Sequence, residues 1–272
     1  MIAKDPDPFY SSDARELAGR AAEEQMAFYL KRRFQDNPHV WVFNDLRFEH
    51  RGIVTQIDHL LLTTWGFFIV ESKSVTTTVK VNSRDEWTRQ VEGIWKGMAS
   101  PLEQGAEQMH QLRRLLEDNA EQLLGKLIGL QKRFGGFVGK NYCAVSDNGI
   151  IERETAKLCP EAMTADQIAR ILEEEVKALQ GRSGLKTFVF GKDLAVWFSE
   201  VDFLRTKDFL LKAHIPREAN TPVAEGDESA RQEIAHCATC ACPLSPRVLQ
   251  YCLAYPHRFQ GRAYCMACQK NQ

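Results

Sequence analysis

The 272-residue sequence has no long apolar run. A membrane-spanning helix needs about 18 to 20 consecutive apolar residues, whereas the longest apolar stretch, residues 60–70, is interrupted by two threonines and a glycine. Ten prolines and 17 glycines are too few for a disordered or collagen-like chain. The first ten residues carry two aspartates and do not resemble a secretory signal. We therefore expect a folded protein without a membrane segment, located in the cytoplasm.

Acidic residues are absent from residues 234–272, which contain four basic residues, Arg247, Arg258, Arg262 and Lys270. The formal net charge of the whole chain is −1, so the rest of the sequence sums to −5. A basic tail on an acidic body indicates an anionic partner such as a nucleic acid.

The hydrophobic pattern predicts a mixed α/β domain. Helices are expected from Ser12 or Asp13 to Gln35 and over residues 101–124, 164–179 and 201–213. Strands are expected over residues 40–48, 56–63, 67–75, 77–81, 137–145 and 186–190. Residues 82–100 are polar and are interpreted as a loop. Residues 216–226 have almost no apolar content and are typical of a linker. We expect one domain over residues 12–214, a linker over 215–233 and a small module over 234–272.

The residues with the clearest chemistry lie between positions 56 and 74. Glu71 and Lys73 are two positions apart on a predicted strand, so they share a face at the end of an apolar segment, and Asp58 lies on the preceding strand. Two carboxylates beside a lysine suit Mg²⁺ or Mn²⁺, which prefer oxygen ligands. The same three residues also fit a solvated cross-strand ion pair. The apolar flanks favour a mostly buried sheet, where an unpaired charge is costly.

Several short motifs resemble one nuclease family. They are Gly19 and Glu23 in the first helix, Asn44-Asp45, Gln56-Ile57-Asp58-His59, Trp65-Gly66, Ile69-Val70-Glu71-Ser72-Lys73, and Ser100-Pro101-Leu102-Glu103-Gln104. Together they resemble the nuclease-related domain (NERD), a member of the PD-(D/E)xK restriction-endonuclease-like superfamily, over about residues 13–125.

The resemblance implies a restriction-endonuclease-like mixed β-sheet flanked by helices. It further implies that Asp58 and Glu71 are metal ligands, that Lys73 is the catalytic lysine, and that Glu23 and Gln104 complete the site. Glu23 also fits a simple ion pair with Lys31 or Arg20. We interpret His59, on the opposite face of its strand from Asp58, as a packing residue rather than a general base.

The cysteines are concentrated at the C-terminus, where six of the eight lie within residues 237–268. Cys237 and Cys240 form one C-x-x-C pair, and Cys265 and Cys268 form a second, a spacing that suits tetrahedral Zn²⁺. The remaining candidates for zinc ligands are Cys242, Cys252, His236 and His257. A redox-active C-x-x-C pair is the alternative.

We expect the metal to supply the free energy of folding, because so short a segment buries too little apolar surface to fold alone. The segment resembles the zinc ribbons that often follow the nuclease-related domain. Its rings and guanidinium groups fit a nucleic-acid surface or a minimal core: Tyr251, Tyr255, Phe259, Tyr264, Arg258 and Arg262.

The sequence therefore predicts a nuclease that hydrolyses phosphodiester bonds, in DNA, with Mg²⁺ or Mn²⁺ as the catalytic cation. A structural Zn²⁺ would stabilise a ribbon that assists nucleic-acid binding. The alternative is a non-catalytic nucleic-acid-binding or interaction module that keeps the nuclease fold.

Overall fold

The computed structural model describes residues 1–127, 130–155, 157–182 and 197–217 and part of the C-terminal segment. In that segment the described residues are 237–240, 242, 244, 248, 252, 259, 262–265 and 268–271. The chain divides into two compact units, Met1–Asn220 and Thr221–Gln272. The predicted strand 186–190, residues 218–233 of the predicted linker, and His236 and His257 lie outside the described residues.

The first unit alternates between helices and strands. Its elements are β1 (Ile2–Lys4), α1 (Ala14–Phe34), β2 (Val40–His50), β3 (Ile53–Thr63), β4 (Gly66–Lys73), β5 (Thr78–Val81), β6 (Trp87–Val91), β7 (Ile94–Met98), α2 (Pro101–Asp118), α3 (Ala120–Leu123), β8 (Lys126–Leu127), β9 (Leu130–Gln131), β10 (Val138–Val145), β11 (Ile150–Arg153), β12 (Ala162–Thr164), α4 (Ala165–Arg182) and α5 (Glu200–Ala213). No helix among the described residues is long and apolar enough to cross a membrane.

The central sheet has six strands in the order β1-β2-β3-β4-β10-β12. Strands β2, β3 and β4 form an antiparallel meander, whereas β10 pairs in parallel with both β4 and β12. The predicted mixed α/β class is confirmed. Strand β1 was not predicted; it pairs in parallel with β2 and belongs to the first compact unit, Met1–Asn220.

Helices cover both faces of this sheet. Leu60, Leu62, Phe67 and Ile69 belong to the apolar core that also contains residues of α2, α3 and α5. Leu61, Phe68 and Val70 belong to a second core with α1 and α4. Because neighbouring residues of a strand point to opposite faces, a continuous apolar run serves both cores. Burial of each such side chain stabilises the fold by about 1.5–3 kcal/mol.

The expectation of a loop over residues 82–100 is wrong. These residues form the β6–β7 hairpin of a second, four-stranded sheet with the order β11-β5-β6-β7. The hairpin turns at Glu92 and Gly93, whose φ angles of 52° and 79° fit the two-residue turn that matches strand twist. The sequence pattern obscured it because every residue of β7 except Met98 is exposed, so no alternation of buried and exposed positions appears.

The helix ends follow their capping residues. Asp13 caps α1 by accepting hydrogen bonds from the backbone N–H groups of Arg15 and Glu16. Ser100 caps α2 in the same way, with Pro101 at the first helical position. The predicted helix over residues 101–124 is interrupted at Asn119, so α3 is a separate short helix.

In the C-terminal unit, the described residues include a small buried cluster. It consists of Cys237, Leu244, Cys252, Phe259 and Tyr264. The rings of Phe259 and Tyr264 pack with their centroids 6.1 Å apart. Of the two roles considered for the aromatic residues here, these two therefore serve as core. Tyr251, Tyr255 and Arg258 lie outside the described residues.

Candidate active site

The predicted carboxylates lie where β3 and β4 separate. Their antiparallel ladder runs from Thr63 paired with Gly66 to His59 paired with Val70. One further step of this register would place Asp58 opposite Glu71. At that point the backbone pairing ends, and the Asp58 side chain accepts a hydrogen bond instead. Its Oδ2 accepts a hydrogen bond of 2.9 Å from the backbone N–H of Ser72. After burial, the charge of Glu71 is the next contribution to the raised pKa of Asp58, so the two carboxyl groups lie close together.

Glu71 and Lys73 are connected to each other and to the first turns of α2. The Lys73 Nζ donates to Glu71 Oε1 at 2.5 Å and to Gln104 Oε1 at 3.0 Å. Gln108, one turn further along the helix, donates from Nε2 to Glu71 Oε2 at 2.9 Å. Glu71 is only 3% exposed, so all of its partners act on a carboxylate shielded from water. The structure brings together Asp58, Glu71, Lys73 and Gln104 of the predicted set.

The alternation of side chains between the two faces of the sheet reverses at this point. Phe43 and Leu46 are three positions apart on β2, yet both belong to the same core, as do Ile57 and Leu60 on β3. Asp45, between the first two, has a φ of 52°, a backbone conformation that only a few residue types adopt readily. The reversal directs the Asp45 side chain to the N-terminal segment, where its Oδ2 accepts from the backbone N–H of Asp7 at 2.8 Å.

Glu23 lies near this centre but has its own partner. The Arg20 guanidinium is 3.3 Å from Glu23 Oε2 and 2.7 Å from Asp45 Oδ2. Glu23 also lines a small cleft with residues of the N-terminal segment, β2 and β3. The simple ion pair with Arg20 is therefore present, and Glu23 still acts on the centre because its charge contributes to the raised pKa of Asp58.

The electrostatics of the centre disfavour full ionisation. Burial is the main reason that the pKa of Asp58 is raised well above its usual value, and the neighbouring charges of Glu71 and Glu23 add to the effect. Burial likewise raises the pKa of Glu23, with Asp45 as the next contribution. A cation at this point would relieve the repulsion, so the oxygen-rich donor set fits a hard divalent ion.

His59 is buried behind the centre. Its Nδ1 lies 2.8 Å from Asn44 Oδ1, and its Nε2 lies 3.1 Å from Ser72 Oγ. Burial lowers the pKa of His59 to about 4, so the ring is neutral near pH 7. The ring therefore fixes Asn44 and Ser72 in place and has no access to solvent.

Four residues that shape the centre received no role in it from the sequence: Gln108 was missed, Asp45 and Ser72 were only parts of motifs, and Arg20 was considered only as an ion-pair partner of Glu23. Gln108 offered one signal, since it follows Gln104 by four positions and so shares its helix face. Asp45 was noted only as part of a motif, and its backbone conformation is not readable from the sequence.

A comparison with models of protein families matches the part of the chain that carries these residues. The model of the nuclease-related domain matches residues 18–131, from within α1 to β9. Residues 18–131 are a nuclease-related domain. No curated protein and no solved structure matches the chain significantly. The nuclease-related domain indicates a nuclease-like role, and every predicted residue of the acidic centre lies inside the matched range.

Outside the nuclease-related domain, four cysteines form a second candidate metal centre. Four sulfur atoms all lie within 4.8 Å of one another, those of Cys237, Cys240, Cys265 and Cys268. Cys240 Sγ and Cys265 Sγ are 3.7 Å apart. Tetrahedral zinc with Zn–S bonds of about 2.3 Å requires sulfur atoms about 3.8 Å apart. The cluster could therefore hold Zn²⁺.

The pKa values of these thiols also favour a bound cation. Backbone hydrogen bonds, chiefly from Cys265 and Cys240, lower the pKa of Cys237 to about 6, whereas a hydrogen bond to Cys265 raises that of Cys268 to about 12. Four thiolates therefore do not form together without a compensating positive charge. Cys242 lies beside the cluster, with its Sγ 3.5 Å from that of Cys240. Cys252 instead accepts a hydrogen bond from the backbone N–H of Tyr264.

Proposed function

We propose that the nuclease-related domain hydrolyses phosphodiester bonds in DNA and depends on Mg²⁺ or Mn²⁺. The observation that carries this proposal is the contact network of Asp58, Glu71, Lys73 and Gln104 where β3 and β4 separate beside α2. We further propose that the C-terminal unit is a zinc ribbon that assists nucleic-acid binding through its basic residues.

Each residue of the network has a role that follows from its contacts. Asp58 and Glu71 would hold the divalent cation, and Ser72 and Gln108 fix the orientation of these two carboxylates. A cation bound there lowers the pKa of a coordinated water and neutralises charge on the scissile phosphate. Lys73 keeps a positive charge beside the carboxylates, where its Nζ can stabilise the negative charge that develops on the phosphate. Gln104 holds that ammonium group from the helix side.

The experiment that tests the proposal compares cleavage of plasmid and linear duplex DNA by the full chain in Mg²⁺, in Mn²⁺ and in chelator. Glu71→Ala and Lys73→Ala should each reduce cleavage by about 100-fold or more, the usual cost of losing a group that stabilises the transition state. Asp118→Ala and Lys140→Ala are matched controls, because both residues form ion pairs that include no residue of the network: an exposed one with Arg51 and a partly buried one with Glu175. These controls should keep full activity.

Equal activity of all four variants would place cleavage elsewhere and refute the assignment. Binding of DNA without cleavage in either metal would instead favour a non-catalytic nucleic-acid-binding module on the same fold.

A further inference from the structure

The sheet that contains the β6–β7 hairpin is inserted in the sequence between β4, which carries Lys73, and α2, which carries Gln104. Strand β4 ends at Lys73, shortly before the second sheet begins, and β7 ends at Met98, with two residues between it and α2. Trp87 at the start of the hairpin is buried against a core that includes Val75 and, on its partly buried edge, Leu102. The base of the hairpin is therefore fixed between the two elements that carry Lys73 and Gln104.

The middle of the hairpin carries two exposed cations side by side, and Arg89 is flanked on its other side by Val79 of β5. Arg89 of β6 pairs directly with Lys96 of β7 in the antiparallel ladder, and both side chains are exposed. Like charges directly opposite each other destabilise a pair of strands. Among the residues that the structure describes, no carboxylate forms an ion pair with either one. The only acidic residue of the hairpin, Glu92, lies in the turn.

The two cations share a face with the base of the hairpin. Arg89 and Trp87 are two positions apart on β6, and Lys96 and Met98 are two positions apart on β7, so all four side chains lie on one face. This is the face that packs against Val75 and Leu102 at its buried end. The opposite face differs, since its Lys80 pairs with Glu152 at 2.9 Å and lies over the ring of Trp95.

We propose that Arg89 and Lys96 bind the phosphate backbone of duplex DNA and guide it to the candidate active site. The proposal rests on the proposed nuclease function and adds the surface that binds the substrate. Charge complementarity selects the occupant, because an anion between the two cations removes their repulsion, and a polyanion also extends along the face toward Lys73.

The test is equilibrium binding of a fluorescein-labelled duplex to the full chain, measured by anisotropy in chelator so that no cleavage occurs. The double variant Arg89→Gln/Lys96→Gln should bind about tenfold or more weakly at low salt. The slope of log K against log salt should fall by about two, because each lost phosphate contact accounts for about 0.9. The matched control is Arg205→Gln/Lys212→Gln, which removes the same charge from two exposed positions on α5.

The melting temperature distinguishes a binding role from a structural role. If the two cations stabilised the fold, their removal would lower the melting temperature. Removing two like charges should leave the melting temperature of the hairpin variant unchanged or higher. Unchanged affinity and salt slope, or losses that the α5 control reproduces, would overturn the role of the hairpin. Metal-dependent cleavage by the parent protein is measured separately. If cleavage persists while the hairpin variant binds normally, only the inference about the hairpin fails; absence of both cleavage and binding in the parent protein refutes both proposals.

Discussion

Replacement of Gln108 by glutamate tests the geometry of the acidic centre most directly. The Gln108 amide donates to Glu71 Oε2 at 2.9 Å, and Gln108 is only 6% exposed. Gln108→Glu keeps the length of the side chain and its helix propensity, so packing changes little. A glutamic acid at this position keeps the hydrogen bond only if it is protonated and donates, as the amide does.

The cost of this substitution can be estimated from the separation of 2.9 Å between the Gln108 Nε2 and Glu71 Oε2. At this separation, two ionised carboxylates repel each other by about 6 kcal/mol if the effective dielectric constant is about 20. Protonation of the new glutamate instead costs about 1.4 kcal/mol for each pH unit above its unfolded-state pKa of about 4.3. That cost is about 1 kcal/mol at pH 5 and about 5 kcal/mol at pH 8, so protonation is the cheaper solution throughout this range.

The sign of the pH dependence follows from the raised folded-state pKa of the new carboxyl group. The stability of Gln108→Glu should equal that of the parent protein below pH 4.3 and decrease as the pH rises above that value. Urea unfolding at pH 5 and at pH 8 measures the difference, which should be about 4 kcal/mol larger at pH 8.

Gln104→Glu is the matched control, since the same substitution one turn earlier is exposed and faces Lys73. It should change stability by less than about 1 kcal/mol at either pH. A loss of stability in Gln108→Glu that is the same at both pH values would refute the contact with Glu71.

Two further predictions concern the metal centres. Because the pKa of Asp58 is raised, its carboxylate costs stability once the pH exceeds the unfolded-state pKa, so Asp58→Asn should raise the melting temperature in chelator at pH 7 while still accepting from Ser72. Mg²⁺ or Mn²⁺ should raise the melting temperature of the parent protein only, and a lower value for Asp58→Asn in chelator would contradict the electrostatic account. Cys265→Ser should reduce bound zinc from about one ion per chain to a small fraction, because the tetrahedral set loses a thiolate; Cys159→Ser is the control, and elemental analysis after dialysis measures both. Zinc content unaffected by Cys265→Ser, or a disulfide among these cysteines in the parent protein, would overturn the zinc site.

The sequence was sufficient to bring Asp58, Glu71 and Lys73 together because strand periodicity carries that information. Residues two apart share a face, and the apolar run before Glu71 required a buried strand with its polar residues at the end. The capping residues Asp13 and Ser100 located the starts of two helices for an equally local reason, since each satisfies backbone donors of the first turn.

The remaining features depend on contacts between residues distant in sequence. The reversal of alternation at Asp45 depends on a backbone conformation that strand periodicity does not encode. The β6–β7 hairpin is stabilised through Trp87 at its base, while its exposed strand carries no periodic signal. Its turn at Glu92-Gly93 was the one local indication, because Gly93 adopts a positive φ without steric cost.

The charges that converge at the centre explain why these distant contacts matter for function. Burial raises the pKa of Glu23 and of Asp58. The charges of Asp45 and Glu71 add to the effect at Glu23, those of Glu71 and Glu23 add to it at Asp58, and the cations Arg20 and Lys73 act in the opposite direction on Glu23 and Asp58. With every group ionised, the balance is −2, the charge that one divalent cation neutralises. Without that cation, burial and repulsion keep the pKa of Asp58 high, so a proton and the proposed metal ion would compete for the same oxygens. Arg20 is therefore as much a part of the proposed metal site as its ligands, because its single positive charge offsets half of the negative charge of Asp45 and Glu23, as Lys73 does for Asp58 and Glu71.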